Sequence, residues 1–410
     1  MQSSVFKHGF LYVGAAIINA AIVYIFYFLI GRHLTPAEFG VFGTIIAIFS
    51  LLAIVQNSLQ TAVSKLVSGN NSLEDLEAKI SNITFNTLVF SAVIFALLFV
   101  FNDALNQFFH FDSRYLLIFS ALLLPFLFLL SITRGYLQGV QKFGHLSISI
   151  IVDAVVKLGI GILAVLLGLR VYGAVGAFIS GYAFAFIVSI PQTKLKFSIK
   201  DLSLNFKFFL DSWPILLTVL FLTSMISIDV ILVKHYFNAD LVGFYNLASF
   251  FGKVLFCVAI NLAFVMFPKI SELHMSKQEH KHVLRDSLNL MALMSVCVFV
   301  AYTFFSKFLV NLFFGSGYAA AAELLPLFGI SSILLAFSLL LSFYLLAQDK
   351  KMFLIPLAAV FVLETALIVF MHGSLLAVAK ILVFSNLVYL AAVLFVVFGY
   401  KLKNIFIKQA

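Results

Sequence analysis

Charge is scarce in this chain. Only 10% of its 410 residues are Asp, Glu, Lys or Arg, against about 25% in soluble domains. With 63% hydrophobic residues and a mean hydropathy of +1.12, a water-soluble domain is excluded, and lipid must be the main solvent of the fold. Cysteine is nearly absent. Cys257 and Cys297 both lie in apolar runs, where they act as small hydrophobes, so no disulfide framework is expected. There is no CxxC pair. The nine His are scattered or fall in the polar run Glu279-His280-Lys281-His282, so no zinc site is expected. Of seven Pro, Pro125, Pro214, Pro326 and Pro356 fall in or at the start of apolar runs, as kinks or first-turn residues. Long polar segments are missing too, which leaves no room for a soluble catalytic domain. With no Ser/His/Asp arrangement and no Gly-Lys-Ser/Thr phosphate loop, neither catalytic residues nor a cofactor are expected.

What the chain does have is a succession of apolar runs, near 9-30, 41-63, 80-101, 115-133, 146-168, 171-190, 214-233, 244-267, 287-306, 323-347, 353-371 and 375-399. Each is long enough to span a bilayer as a helix, and none shows the ten-residue alternation of a barrel strand. The expectation is an all-α membrane protein of about twelve spans. The first run, after Lys7 and His8, is longer than a signal-peptide core and is expected to be retained. With the N-terminus cytoplasmic, the inner segments carry 18 Lys and Arg and the outer loops five: Arg32, Arg114, Arg170, Lys234 and Lys307. From that bias both termini are expected in the cytoplasm, and the expected location is the plasma (inner) membrane. The net charge of +9 then reflects topology and anionic lipid headgroups, and no nucleic-acid partner is expected.

The longest polar stretch, 191-213, is the expected linker between an N-terminal six-helix bundle, 1-190, and a C-terminal one, 214-410. The halves resemble one another. Leu34-Thr35-Pro36-Ala37-Glu38-Phe39-Gly40-Val41-Phe42 recurs 203 residues on as Phe237-Asn238-Ala239-Asp240-Leu241-Val242-Gly243-Phe244-Tyr245. Ala174-Val175-Gly176 matches Ala377-Val378-Ala379 at the same offset, and Tyr136 to Lys142 matches Tyr344 to Lys350 at 208. Each half has an even number of spans, so the repeats are expected to be parallel, related by a pseudo-two-fold axis along the membrane normal. That is transporter architecture.

Gly31-Arg32-His33-Leu34-Thr35-Pro36-Ala37-Glu38-Phe39-Gly40, the run from Asp229 to Ala248, and Pro268-Lys269-Ile270-Ser271 together resemble the polysaccharide and oligosaccharide flippases. These belong to the multidrug/oligosaccharidyl-lipid/polysaccharide exporter superfamily. The similarity runs over essentially the whole chain. One departure is Lys65, preceded by Ser64, where the family commonly has an Arg; the cation is kept and the bidentate fork lost. The resemblance implies a flippase that moves polyprenyl diphosphate-linked oligosaccharide units to the outer leaflet by alternating access. It also implies that the chain is a monomer, with glycan polymerases or glycosyltransferases as candidate partners.

An ion at mid-bilayer costs at least about 2.5–3.5 kcal/mol, so charges inside the spans mark a cavity or a partner. There are six: Asp153, Lys157, Asp229, Lys253, Glu364 and Lys380. Lys253, Lys157 and Lys380, with Asn57, are the candidate substrate-binding residues, the lysines for a diphosphate. Glu364, Asp153 and Asp229 are the candidate ion-coupling residues, exchanging protons or sodium. Glu364 is preferred, because Asp153 has Lys157 one turn away. Internal pairs are the alternative: Asp153 with Lys157, Asp229 with Lys253, Glu364 with Lys380. Asn19, Gln56, Gln60, Asn261 and Asn386 are expected to form interhelical hydrogen bonds.

Two other functions compete. A drug or cation exporter of the same superfamily would favour unpaired acids, whereas three acids here meet three lysines. A membrane polymerase or ligase acting on lipid-linked glycans needs a large outer loop, and the largest here, near 102-114 and 307-322, are short. A lipid II flippase is expected to have about two more spans and more Arg.

Overall fold

A computed structural model describes residues 2–69, 73–111, 113–193, 213–276 and 278–409. Among them there is no strand. The chain divides into two compact units, Met1–Trp213 and Pro214–Ala410. Of the expected linker, 191–193 extend a helix and Trp213 opens another, while the remainder lies outside the described residues.

The first unit comprises α1 (Gln2–His33), α2 (Pro36–Ser68), α3 (Leu73–Val100), α4 (Asn102–Phe109), α5 (Leu116–Ala121), α6 (Leu123–Gly139), α7 (Phe143–Leu166) and α8 (Arg170–Thr193). The second comprises α9 (Trp213–Met225), α10 (Ile228–Tyr236), α11 (Ala239–Met275), α12 (Lys281–Phe304), α13 (Ser306–Phe313), a 3-10 turn (Ser316–Glu323), α14 (Leu325–Leu346), α15 (Leu354–Phe370) and α16 (Leu375–Gln409). Eleven spans in this set are long and apolar enough to cross a membrane, and the shorter apolar helix α15 is the twelfth. Phe370, Leu166 and Phe395, each at least 76% exposed, are the outward surface such helices offer to lipid. The two largest expected outer loops are not loops. Residues 102–109 and 306–313 form the amphipathic eight-residue helices α4 and α13, too short for a span-length pattern to show.

Small residues let the helices approach. A Cβ at Gly135 on α6 would stand 2.6 Å from the Gln60 carbonyl oxygen of α2, and one at Gly139 would stand 2.6 Å from the Val67 Cβ. In the second unit α14 is the central helix. It packs against α11, α12 and α16 and is buried along nearly its whole length.

The internal repeat is present in backbone detail. Thr35 caps α2 with φ −68° and ψ 160°, and its side chain and that of Glu38 form a capping box. Asn238, its counterpart, caps α11 with φ −67° and ψ 161°, its side chain accepting from the Leu241 N–H. At the other matched segment the chain leaves α6 and α14 in the same way. Gln141 and Asp349 take left-handed φ values of 58° and 56°. The N–H groups of Lys142 and Lys350 then bond back to Leu137 and Leu345, closing off carbonyls at each helix end.

The buried charges of the first unit, Arg134, Asp153 and Lys157, form one network. The Lys157 Nζ lies 2.8 Å from Asp153 Oδ1, and the Arg134 Nη2 lies 3.5 Å from Oδ2. Arg134 also donates to the Ser149 hydroxyl and carbonyl, and Ser189 donates to the same hydroxyl. The Lys157 ammonium stands 3.9 Å from the Tyr182 ring centroid and 4.7 Å from that of Phe178. Gly181 makes room for the pair, because a Cβ there would meet Lys157 Cγ at 2.5 Å. Arg134, counted above among cytoplasmic loop charges, is instead a buried helical residue, and so is Lys234 on α10. One carboxylate thus serves two cations. Asp153→Asn should destabilise the protein by about 3–5 kcal/mol, because it strands buried positive charge, and Asp153→Asn/Lys157→Met should recover part of the loss. Thermal unfolding of the purified protein checks this; an unchanged midpoint in Asp153→Asn would show that the network does not hold the unit.

Candidate functional site

The seventh span is broken. α9 ends at Met225 and α10 begins at Ile228, with a turn at Ile226 and Ser227 between them. Asp229 sits in the first turn of α10 and is 1% exposed, where a helix N-terminus favours a carboxylate. Its Oδ2 accepts from the Tyr245 hydroxyl of α11 at 2.8 Å, while its Oδ1 is buried without a hydrogen-bond partner. Glu364 on α15 is fully buried, and neither of its oxygens has a hydrogen-bond partner among the described residues. It lies within electrostatic reach of Asp229 and Tyr245. Lys253, two turns beyond Tyr245 on α11, is also within electrostatic reach of Asp229.

A cavity of about 30 Å³ lies beside this group, lined by Asp229, Ser249, Lys253, Ser331, Ser332 and Asn386 among others. It has room for one or two water-sized guests. Asn386 on α16 donates to the Ser331 hydroxyl at 2.8 Å, and its own Oδ1 is buried without a partner.

The repeat shows what is special here. Moved back by 203 residues, Asp229, Tyr245 and Glu364 fall on Phe26, Phe42 and Gly161. In the first unit those residues pack dry: the Phe26 and Phe42 rings are 6.2 Å apart, and a Cβ on Gly161 would come within 2.5 Å of Phe26. The second unit has two carboxyls and a hydroxyl at the corresponding places. A buried, unpartnered carboxylate is costly unless a cation or a proton neutralises it.

The expected site residues therefore divide. Asp229, Lys253 and Glu364 come together in the second unit. Asp153 and Lys157 are joined in the first unit's network, as the internal-pair alternative anticipates. Neither Asp229 with Lys253 nor Glu364 with Lys380 forms an ion pair within 4 Å among the described residues, and Lys380 and Asn57 are exposed. Gln60 and Asn386 make the interhelical bonds expected of them, Gln60 to Gln138 at 3.0 Å, whereas Asn261 bonds within its own helix to the Cys257 carbonyl. Tyr245, Arg134 and the serines of α14 were not foreseen. For Tyr245 a signal existed, since it is Phe42 with a hydroxyl added.

Comparison with known proteins agrees with this architecture. Residues 5–274 match the family described as polysaccharide biosynthesis protein. A candidate O-antigen transporter of Shigella flexneri is 24% identical over 303 residues, which is 70% of this chain and 72% of that protein. The fold resembles that of the lipid II flippase MurJ in an inward closed conformation, with a TM-score of 0.75 at 16% identity, covering 95% of this chain and 87% of that one. It also resembles an inward-facing multidrug resistance MATE family transporter of the MOP superfamily, with a TM-score of 0.78 at 13% identity, covering 96% and 99%. The chain is an all-helical, multi-pass membrane protein that belongs to the polysaccharide biosynthesis protein family.

Proposed function

We propose that this protein is a flippase that carries polyprenyl diphosphate-linked oligosaccharide from the cytoplasmic to the outer leaflet by alternating access, driven by a proton or sodium gradient. The family and the Shigella relative support the substrate class, and the shared fold supports the transport mode. The observation that carries the coupling is the separated charge of the second unit. Among the described residues Lys253 has no carboxylate within 4 Å, and Asp229 and Glu364 have no cation within that distance. In this reading Lys253 contacts the diphosphate, and the two carboxyls take up the coupling cation. When they are neutralised, the pull of Asp229 on Lys253 disappears and the ammonium is released to the anionic headgroup. When they ionise again, the ammonium is drawn back and the diphosphate leaves. The protein acts in the plasma membrane as a monomer with cytoplasmic termini, and enzymes that extend or assemble glycans are its candidate partners.

The unpartnered Glu364 also suits a second reading, an exporter of organic cations like the MATE proteins, and Lys253 separates the two. Lys253→Ala should lower flipping of polyprenyl diphosphate-linked oligosaccharide in proteoliposomes at least tenfold with normal yield of folded protein, and Lys253→Arg should keep part of the activity. If Lys253→Ala instead abolishes expression and Asp229→Ala/Lys253→Ala restores it, the lysine is a structural partner of Asp229.

For the coupling role, Glu364→Gln keeps the shape and removes the charge. It should bind substrate normally and show no acceleration when a proton or sodium gradient is imposed. Flipping that still follows the gradient at the wild-type rate in Glu364→Gln vesicles would remove Glu364 from the coupling.

A further inference from the structure

The second unit contains another opening, at the junction of α10 with α11, the end expected to face outward. It is a pocket of about 570 Å³ lined by Tyr236, Asn238, Leu241, Glu323, His372 and Gly373 among others, within the size range of small-molecule sites. The repeat again explains why it is there. In the first unit the Arg170 Nη1 donates to Glu38 Oε1 at 3.0 Å, tying the start of α8 to the first turn of α2. Moved on by 203 residues, Glu38 becomes Leu241 and Arg170 becomes Gly373. Both line the pocket, and neither can form that ion pair. A Cβ on Gly373 would meet nothing within 4 Å.

The walls have a consistent chemistry. The Tyr236 and His372 rings are stacked with centroids 3.8 Å apart and planes within 13°. The His372 Nδ1 lies 2.8 Å from the Val369 carbonyl, which can only accept, so Nδ1 donates there and Nε2 is the ring nitrogen left for a ligand. Asn238 spends its side-chain oxygen on capping α11, which leaves its amide donors. The Tyr236 hydroxyl and the Glu323 carboxylate have no partner among the described residues. No Lys or Arg lines the pocket, so it does not suit a diphosphate. Aromatic surface with hydrogen-bond donors and acceptors in the same lining suits a polyhydroxylated ring, which offers C–H faces for packing and hydroxyls for hydrogen bonding.

We infer that this pocket binds saccharide, and that it receives the sugar headgroup while the diphosphate is held elsewhere; the second clause rests on the flippase reading. The two can fail separately. The test is saturation-transfer-difference NMR on the full protein in lipid nanodiscs, with N,N′-diacetylchitobiose, lactose and a rhamnose disaccharide as probes, alongside flipping in proteoliposomes. At least one disaccharide should receive saturation from the wild type. The signal should fall at least fivefold in Tyr236→Ala and in Glu323→Ala and stay unchanged in Lys253→Ala. Leu241→Glu/Gly373→Arg, which rebuilds the first unit's ion pair across the opening, should abolish it in a protein whose unfolding midpoint matches the wild type. No signal from any of the three probes, or full signal in the rebuilt variant, overturns the pocket whether or not flipping is seen. Saccharide binding that follows this pattern in a protein that flips nothing keeps the pocket and removes the flippase.

Discussion

Every polar group in this protein is placed under one constraint: the hydrocarbon core of a bilayer supplies no hydrogen bonds. The backbone meets it by being helical along nearly all of the described spans. Side chains meet it in two ways, and the two units illustrate one each. In the first unit the Asp153 carboxylate has two cations, Arg134 and Lys157, within 4 Å, with two serines and two aromatic rings beside them. In the second unit Asp229 and Glu364 have no cation within 4 Å among the described residues. The first arrangement spends its charge on holding helices together. The second keeps it available.

The repeat turns this contrast into a controlled comparison, because the two halves share caps, turn conformations and the paired short helices α4 and α13. Against that background the differences are few and local. Phe26, Phe42 and Gly161 give way to Asp229, Tyr245 and Glu364, and the Glu38–Arg170 bridge gives way to Leu241 and Gly373. Both changes fall in the second unit: one puts polar groups where the first unit has a packed apolar seam, and the other replaces an ion pair with Leu and Gly.

Much of this was legible in the sequence. Spans announce themselves through apolar runs of bilayer length, and the repeat through a nine-residue motif at an offset of 203. The pair Asp153–Lys157 follows from one helical turn of separation. What escaped is equally physical. Arg134 lies five residues before the end of α6, and a charge count assigns such a residue to the loop although the helix carries it inward. The broken seventh span leaves no gap in hydropathy, since Ile226 and Ser227 are as apolar or as small as their neighbours. The pairing of Glu364 with Lys380 requires knowing which faces of α15 and α16 meet, and the exposed position of Lys380 cannot be read from spacing alone. Tyr245 looked like one more aromatic in a chain with 50 Phe, and only its alignment with Phe42 marks the added hydroxyl.

The break between α9 and α10 has a consequence for the dynamics of the second unit. An intact span hides its amides from solvent for as long as the protein stays folded, whereas an interrupted one can open locally without unwinding its neighbours. Met225, Ile226 and Asp229 lie at the interruption and also line the small cavity, so the break in the span adjoins buried polar side chains. Deuterium should enter the unit there before it reaches the unbroken spans.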